Sequence, residues 1–123
     1  MPDNFRRPGA LRERMHFQRR GDGDDGMGGP PQPGTGEFAT VFTASAGLRP
    51  RVGGEAVDAA RLGGRQPFVM TVRYSEQMAE VTPAWQLLDA RKEGRVLSII
   101  SPLADPDGKN QWLEFLAVEG ASS

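Results

Sequence analysis

The chain has a single histidine, His16, in the stretch LRERMHFQRR, residues 11–20. No serine, cysteine or carboxylate pair stands at a spacing that would make this imidazole a general base or a metal ligand. With a period of two, the same stretch puts Leu11, Met15 and Phe17 on one side and Arg12, Arg14, His16, Gln18 and Arg20 on the other. An exposed strand histidine is the plainer reading. GDGDDG, residues 21–26, sets Asp22 and Asp24 at the i, i+2 spacing of a calcium loop, but Asp25 is out of step and no glutamate closes the loop. A solvated acidic loop accounts for it. Asp107-Gly108-Lys109 does not fit a phosphate cradle, and Arg20-Gly21-Asp22 is too short a match to carry weight. With no cysteine there is neither a thiolate metal site nor a disulfide. No catalytic residue, metal or cofactor is expected, and the chain reads as a non-enzyme.

What remains is charge. The net charge of −1 hides strong zoning. Residues 1–20 hold six arginines against Asp3 and Glu13, whereas residues 21–40 hold Asp22, Asp24, Asp25 and Glu37 with no base. Further along, Arg49, Arg51, Arg61 and Arg65 bracket a glycine-rich stretch opposed only by Glu55 and Asp58. Such arginines could touch phosphates, since sequence-independent nucleic-acid contact is electrostatic, or they could bridge to a neighbouring subunit. The loop lacks the aromatic platforms of single-strand binders, and a pI of 5.8 is low for a dedicated nucleic-acid protein.

The elements that must position these groups fit one domain with a modest core, since 123 residues bury roughly two-thirds of the unfolded surface. No apolar run approaches the ~20 residues that cross a bilayer, and no secretory signal is visible. Residues 1–10 read as a flexible arm, 11–120 as the domain and 121–123 as a tail. Residues 11–19 form the first strand. In residues 21–36, ten of sixteen are glycine or proline, which predicts a mobile loop. FATVFTASAGLR, residues 38–49, is the second strand, with Phe38, Thr40, Phe42, Ala44, Ala46 and Leu48 expected on one face and Pro50 as its stop. Residues 55–62, alanine-rich between Gly53-Gly54 and Gly63-Gly64, suggest a helix of about two turns.

FVMTVRYS, residues 68–75, is the third strand, AWQLLDA the fourth and RVLSIIS the fifth. Asp107-Gly108 is expected to turn a hairpin into QWLEFLAVE, the sixth. A helix over residues 111–118 would also gather Trp112, Phe115, Leu116 and Glu119, but the preceding Asp-Gly turn favours the strand. The result is mainly β: a small antiparallel barrel or sandwich of about six strands, with one short helix in a long loop between strands two and three. Both faces of the last strand are largely apolar, although a barrel buries only one. Either Trp112 and Leu116 or Leu113 and Phe115 are therefore expected to meet another subunit.

Taken in order, LRERMHFQRR, a Gly/Asp-rich loop, FTASAGLRP leading to GGE, VMTVRYS, WQLLDARKEGRVLSII and WLEFLAVEG resemble the head-tail joining proteins of tailed bacteriophages. These are the small adaptors or stoppers that close a filled capsid and receive the tail. The loop at 21–36 is longer than that pattern, and Ser45 stands where an aromatic is common.

The resemblance implies a small β-barrel that assembles with copies of itself in a six-fold or twelve-fold ring at the head-tail junction of a virion made in the bacterial cytoplasm. Implied partners are a portal-side connector or adaptor protein, a tail terminator or tail tube protein, and packaged DNA in the channel, with no membrane. It also implies that residues 51–66 point at the channel, with Arg51, Arg61 and Arg65 facing DNA and Gly53, Gly54, Gly63 and Gly64 acting as hinges. Arg12, Arg14, His16, Gln18 and Arg20 then become candidates for partner contact. A small nucleic-acid-binding barrel, or another connector component such as a tail terminator, are the alternatives.

Overall fold

A computed structural model describes residues 8–23, 26, 28–30, 32–51 and 65–120. Six strands, β1 (Glu13–Arg20), β2 (Phe38–Pro50), β3 (Pro67–Arg73), β4 (Gln86–Asp89), β5 (Val96–Ile99) and β6 (Trp112–Glu119), close into a barrel in the order β1-β2-β3-β6-β5-β4. Every neighbouring pair is antiparallel. Closure suits a chain this small, because it leaves few strand edges open while wrapping one core.

The alternation seen in the sequence decides what fills that core. Met15 and Phe17 from β1, Met70 and Val72 from β3, Leu87 from β4, Leu97 and Ile99 from β5, and Leu113, Phe115 and Ala117 from β6 all turn inward and are buried. Phe17 stacks on Phe42 with ring centroids 4.9 Å apart and planes 8° from parallel.

The face expected for β2 is broken at one residue. Phe17 pairs with Phe42 but Gln18 pairs with Thr40, so Val41 is an unpaired bulge and stands 43% exposed. A bulge adds one residue to one strand and reverses the inside-outside phase beyond it. Thr40 therefore joins Gln18 on the outer surface, where the Gln18 amide donates to Thr40 Oγ1 at 3.2 Å. Phe38 lies under the Arg20 guanidinium, 4.3 Å from its ring centroid.

The expected helix at 55–62 lies outside the described residues. The described helix, α1 (Glu76–Ala79), links β3 to β4. Ser75 caps it by accepting from the Met78 N–H at 3.0 Å. Met78, Val81 and Trp85 from this link plug that end of the barrel with apolar surface. Residues 111–118 adopt the strand and not the helix. Asp107-Gly108 is not a two-residue hairpin: Ala104 pairs with Glu114, and the tip beyond it is organised by Asp105. One Asp105 oxygen accepts from Asp107 and Gly108 N–H at 3.2 and 2.9 Å, and the other from Asn110 N–H at 2.7 Å. Gly108 and Asn110 take positive φ there, so the turn chemistry is local but wider than an Asp-Gly pair.

The loop at 21–36 contains backbone pairing that its composition does not announce: Gly23 and Gln32 exchange bonds of 2.8 and 2.9 Å. Residues 8–10 form a 3-10 turn laid over β2. A Cβ at Gly47 would stand 3.0 Å from the Ala10 carbonyl oxygen, so glycine permits that approach.

On the outer wall of β3, Thr71 is 1% exposed and its hydroxyl donates to Glu114 Oε2 at 2.9 Å. Arg49 reaches the same oxygen at 3.3 Å. Thr71→Val keeps the shape and removes the donor, so it should lower stability by about 1–2 kcal/mol, read as a shifted urea midpoint at unchanged slope.

Candidate interaction surfaces

The arginine-rich face of β1 is a polar ladder running across three strands. Arg14, His16, Gln18 and Arg20 point outward, opposite Ser45, Thr43, Thr40 and Phe38 of β2. His16 Nδ1 and Thr43 Oγ1 share a bond of 2.6 Å, and the Arg14 guanidinium comes within 3.5 Å of Ser45 Oγ. On the other side the Gln86 amide donates to Gln18 Oε1 at 2.8 Å. Arg20 is held by the Gly36 carbonyl at 3.0 Å, while Arg12 is exposed and its carbonyl accepts from the Arg91 guanidinium at 2.8 Å. Among the described residues His16 thus bonds a hydroxyl and no carboxylate. The ladder is a hydrogen-bonded polar surface that crosses β4, β1 and β2.

β6 divides its two apolar faces cleanly. Leu113 and Phe115, the second pair expected to face a subunit, turn inward and are buried in the barrel core. Trp112 and Leu116 stand on the outer wall, half-buried, and Arg73 lies over the Trp112 ring at 5.4 Å. The pleat explains the division: a one-residue step moves a side chain to the opposite face.

The strand register places the starts of β1, β3 and β5 and the ends of β2, β4 and β6 at one end of the barrel. Residues 51–66 leave and return there. Arg51 and Arg65 are both exposed; the Arg51 N–H donates to the Pro67 carbonyl at 3.0 Å, extending the β2-β3 ladder. Arg65 passes Gly120, whose added Cβ would lie 3.5 Å from its guanidinium. Arg61, Gly53, Gly54, Gly63 and Gly64 lie outside the described residues.

That same end is closed by an ionic cluster that sequence reading missed. Arg95 contacts Asp89 Oδ2 at 3.3 Å, Glu119 Oε1 at 2.9 Å and Glu13 Oε2 at 4.0 Å, with its guanidinium 5.8 Å from the Phe68 ring centroid. The Asp89 side chain is fully buried. Burial alone would push its carboxyl up, but backbone N–H bonds from Lys92 and Arg91 and the Arg95 guanidinium outweigh that and hold it below the usual aspartate value. These partners are brought together by closure from four strands. The only local signal is the turn after Asp89, whose Oδ1 accepts from Arg91 and Lys92 at 2.8 and 2.9 Å.

At the opposite end a cleft of about 770 Å³ opens beside Arg19, Arg20, Val41 and Trp85. Arg19 lies 5.4 Å from the Trp85 ring centroid. Among the described residues no cluster of three or more His, Asp or Glu side chains could hold a metal ion. Every buried side-chain nitrogen or oxygen there has a hydrogen-bond partner, so no polar group is left aimed at a ligand.

The family model of the phage head completion proteins matches residues 6–120. A chain in a solved structure, described as the virion of a native gene transfer agent particle, has the same fold, with a TM-score of 0.60 at 20% identity over 94% of this chain and 100% of that one. No curated protein matches the sequence.

Proposed function

The chain belongs to the phage head completion protein family, structural proteins of the virion head, and on that premise we propose that it acts at the head-tail junction as an adaptor or stopper. In this reading copies of the chain form a closed ring that seals the DNA-filled capsid and presents the attachment surface for the tail. The portal-side connector lies on one side and the tail terminator or tail tube on the other.

The observation that carries the reading is the outer wall of β6. Its inward face is already spent on the core through Leu113, Phe115 and Ala117, yet Trp112 and Leu116 add apolar surface outside, beside the Arg73 guanidinium. Apolar surface of that kind is stabilised by a neighbour's cover. A Trp112→Glu/Leu116→Glu double variant should keep the circular dichroism of the barrel while heads that contain it fail to join tails. Tail joining at the wild-type level would remove this face from the assembly.

The loop of residues 51–66 is the channel element of the proposal. Its described ends, Arg51 and Arg65, are exposed at a single end of the barrel, as a gate anchored on a closed scaffold requires. Arg61 and the hinge glycines Gly53, Gly54, Gly63 and Gly64 belong to the same proposal through their place in the sequence. Arg51→Glu/Arg65→Glu should leave the chain on the head but release packaged DNA, measured as nuclease-sensitive DNA per particle. Full DNA retention would argue for subunit contacts in place of phosphate contacts at these arginines.

A further inference from the structure

β2, at 13 residues, is longer than the strands beside it, and its two halves have different neighbours. Residues 38–46 pair with β1, but pairing with β3 covers only residues 46–50. β3 then turns away, and the Tyr74 N–H donates to the Gln111 carbonyl at 2.9 Å. Along residues 38–45, β2 is thus flanked by a strand on one side only among the described residues.

The phase of that open edge follows from two backbone bonds. The Arg51 N–H donates to Pro67 O at 3.0 Å, which turns Arg51, Arg49, Gly47 and, by alternation, Ser45 and Thr43 toward the β3 side. The Ala90 N–H donates to Arg14 O at 2.9 Å, which turns Arg14 toward β4 and therefore Met15 and Phe17 toward their β2 partners Ala44 and Phe42. Both bonds give the same answer. Thr43 and Ser45 present their backbone N–H and C=O groups out of the sheet, where β3 no longer reaches. Such an edge is a template for another strand.

Two clefts flank it. One, of about 390 Å³, is lined by Phe42, Ala44, Tyr74 and Met78 with Arg73 at its side. The other holds Arg19, Arg20 and the bulged Val41. Their linings contain three guanidinium groups against one carboxylate, Asp22. Arg19 and Arg73 lie over indole rings and form no ion pair among the described residues, so they remain available to a carboxylate.

We infer that the open edge of β2, at Thr43 and Ser45, receives an extended acidic segment of another virion protein as an added strand. The inference rests on the head-tail reading above. Nucleic acid has no peptide backbone to add to the sheet. A second copy pairing through this same edge would make a two-fold dimer and not a ring.

The test is amide hydrogen exchange on the free chain and on completed tailed particles. Thr43 and Ser45 amides should exchange fast in the free chain and about 100-fold more slowly in the particle. Equal rates in both would overturn the inference. A benzophenone side chain introduced at Thr43 identifies the occupant: crosslinks to an Asp/Glu-rich segment of another virion protein support the inference, and crosslinks only to further copies of this chain or to DNA overturn it. Thr43→Pro removes an N–H that no strand uses, so it should keep the barrel and lower tail joining about ten-fold, whereas unchanged joining by a folded variant counts against strand addition. Tailed particles formed without the chain would instead defeat the head-tail reading, which keeps the two failures distinct.

Discussion

Phe17→Ala is expected to cost about 3–5 kcal/mol, on the order of half the stability of a domain this size. Phe17 is completely buried and stacks on Phe42, which in turn leans on Trp85 with centroids 6.1 Å apart. Removing the first ring leaves a cavity beneath β1 and exposes the inner side of the apolar plug formed by Met78, Val81 and Trp85. The barrel cannot collapse onto that space, because β1 is hydrogen-bonded to β2 on one side and to β4 on the other. Chemical denaturation should show a lower midpoint with an unchanged slope. Phe17→Leu, which keeps most of the volume, should cost less than half as much. A cost below about 1 kcal/mol for the alanine variant would mean that this ring is not part of the core.

Asp89→Ala is expected to cost about 3 kcal/mol, because it removes the buried partner of Arg95 together with the acceptor of two backbone N–H groups. Asp89→Asn separates the two effects: its carbonyl oxygen can still accept from Arg91 and Lys92, but no charge faces Arg95. The asparagine variant should therefore fall between wild type and alanine. The sign of the pH dependence follows from the depressed folded-state value. The unfolded aspartate titrates near 3.8 and the folded one below it. The carboxylate's contribution is thus complete above the unfolded value and is lost as the pH falls through the folded value. Wild type and Asp89→Asn should differ most near neutral pH and converge in acid, as read by thermal midpoints from pH 7 down to pH 3. Glu13 and Glu119 also face Arg95, so the convergence is sharpest in variants that retain both. A gap that widened in acid would contradict the assignment of Asp89 as the charged partner.

How much of this the residues reveal depends on distance along the chain. The inward set of β1 is legible because alternation is a local rule, and Met15 and Phe17 turn inward. On β2 the same rule fails beyond Val41, since a bulge depends on pairing with β1 and not on β2's own composition. The helix Glu76–Ala79 is too short to show a period, and its cap, Ser75 accepting from the Met78 N–H, is a local bond that hydrophobic patterning does not register. The ladder of His16 with Thr43 and Gln18 with Gln86 needs strand register, which no single segment encodes. The Arg95 cluster is the extreme case, drawing on Glu13, Asp89 and Glu119 from three strands. Its members are ordinary surface residue types until the barrel closes. At β6 both faces are apolar, so alternation alone does not say which one turns outward; closure of the barrel does.

Electron microscopy of particles from a strain lacking its gene tests the proposed place of this chain at the head-tail junction most directly. DNA-filled or leaking heads accumulating beside free tails, with joining restored when the chain is supplied, is the expected result. Intact tailed particles in its absence would contradict the account.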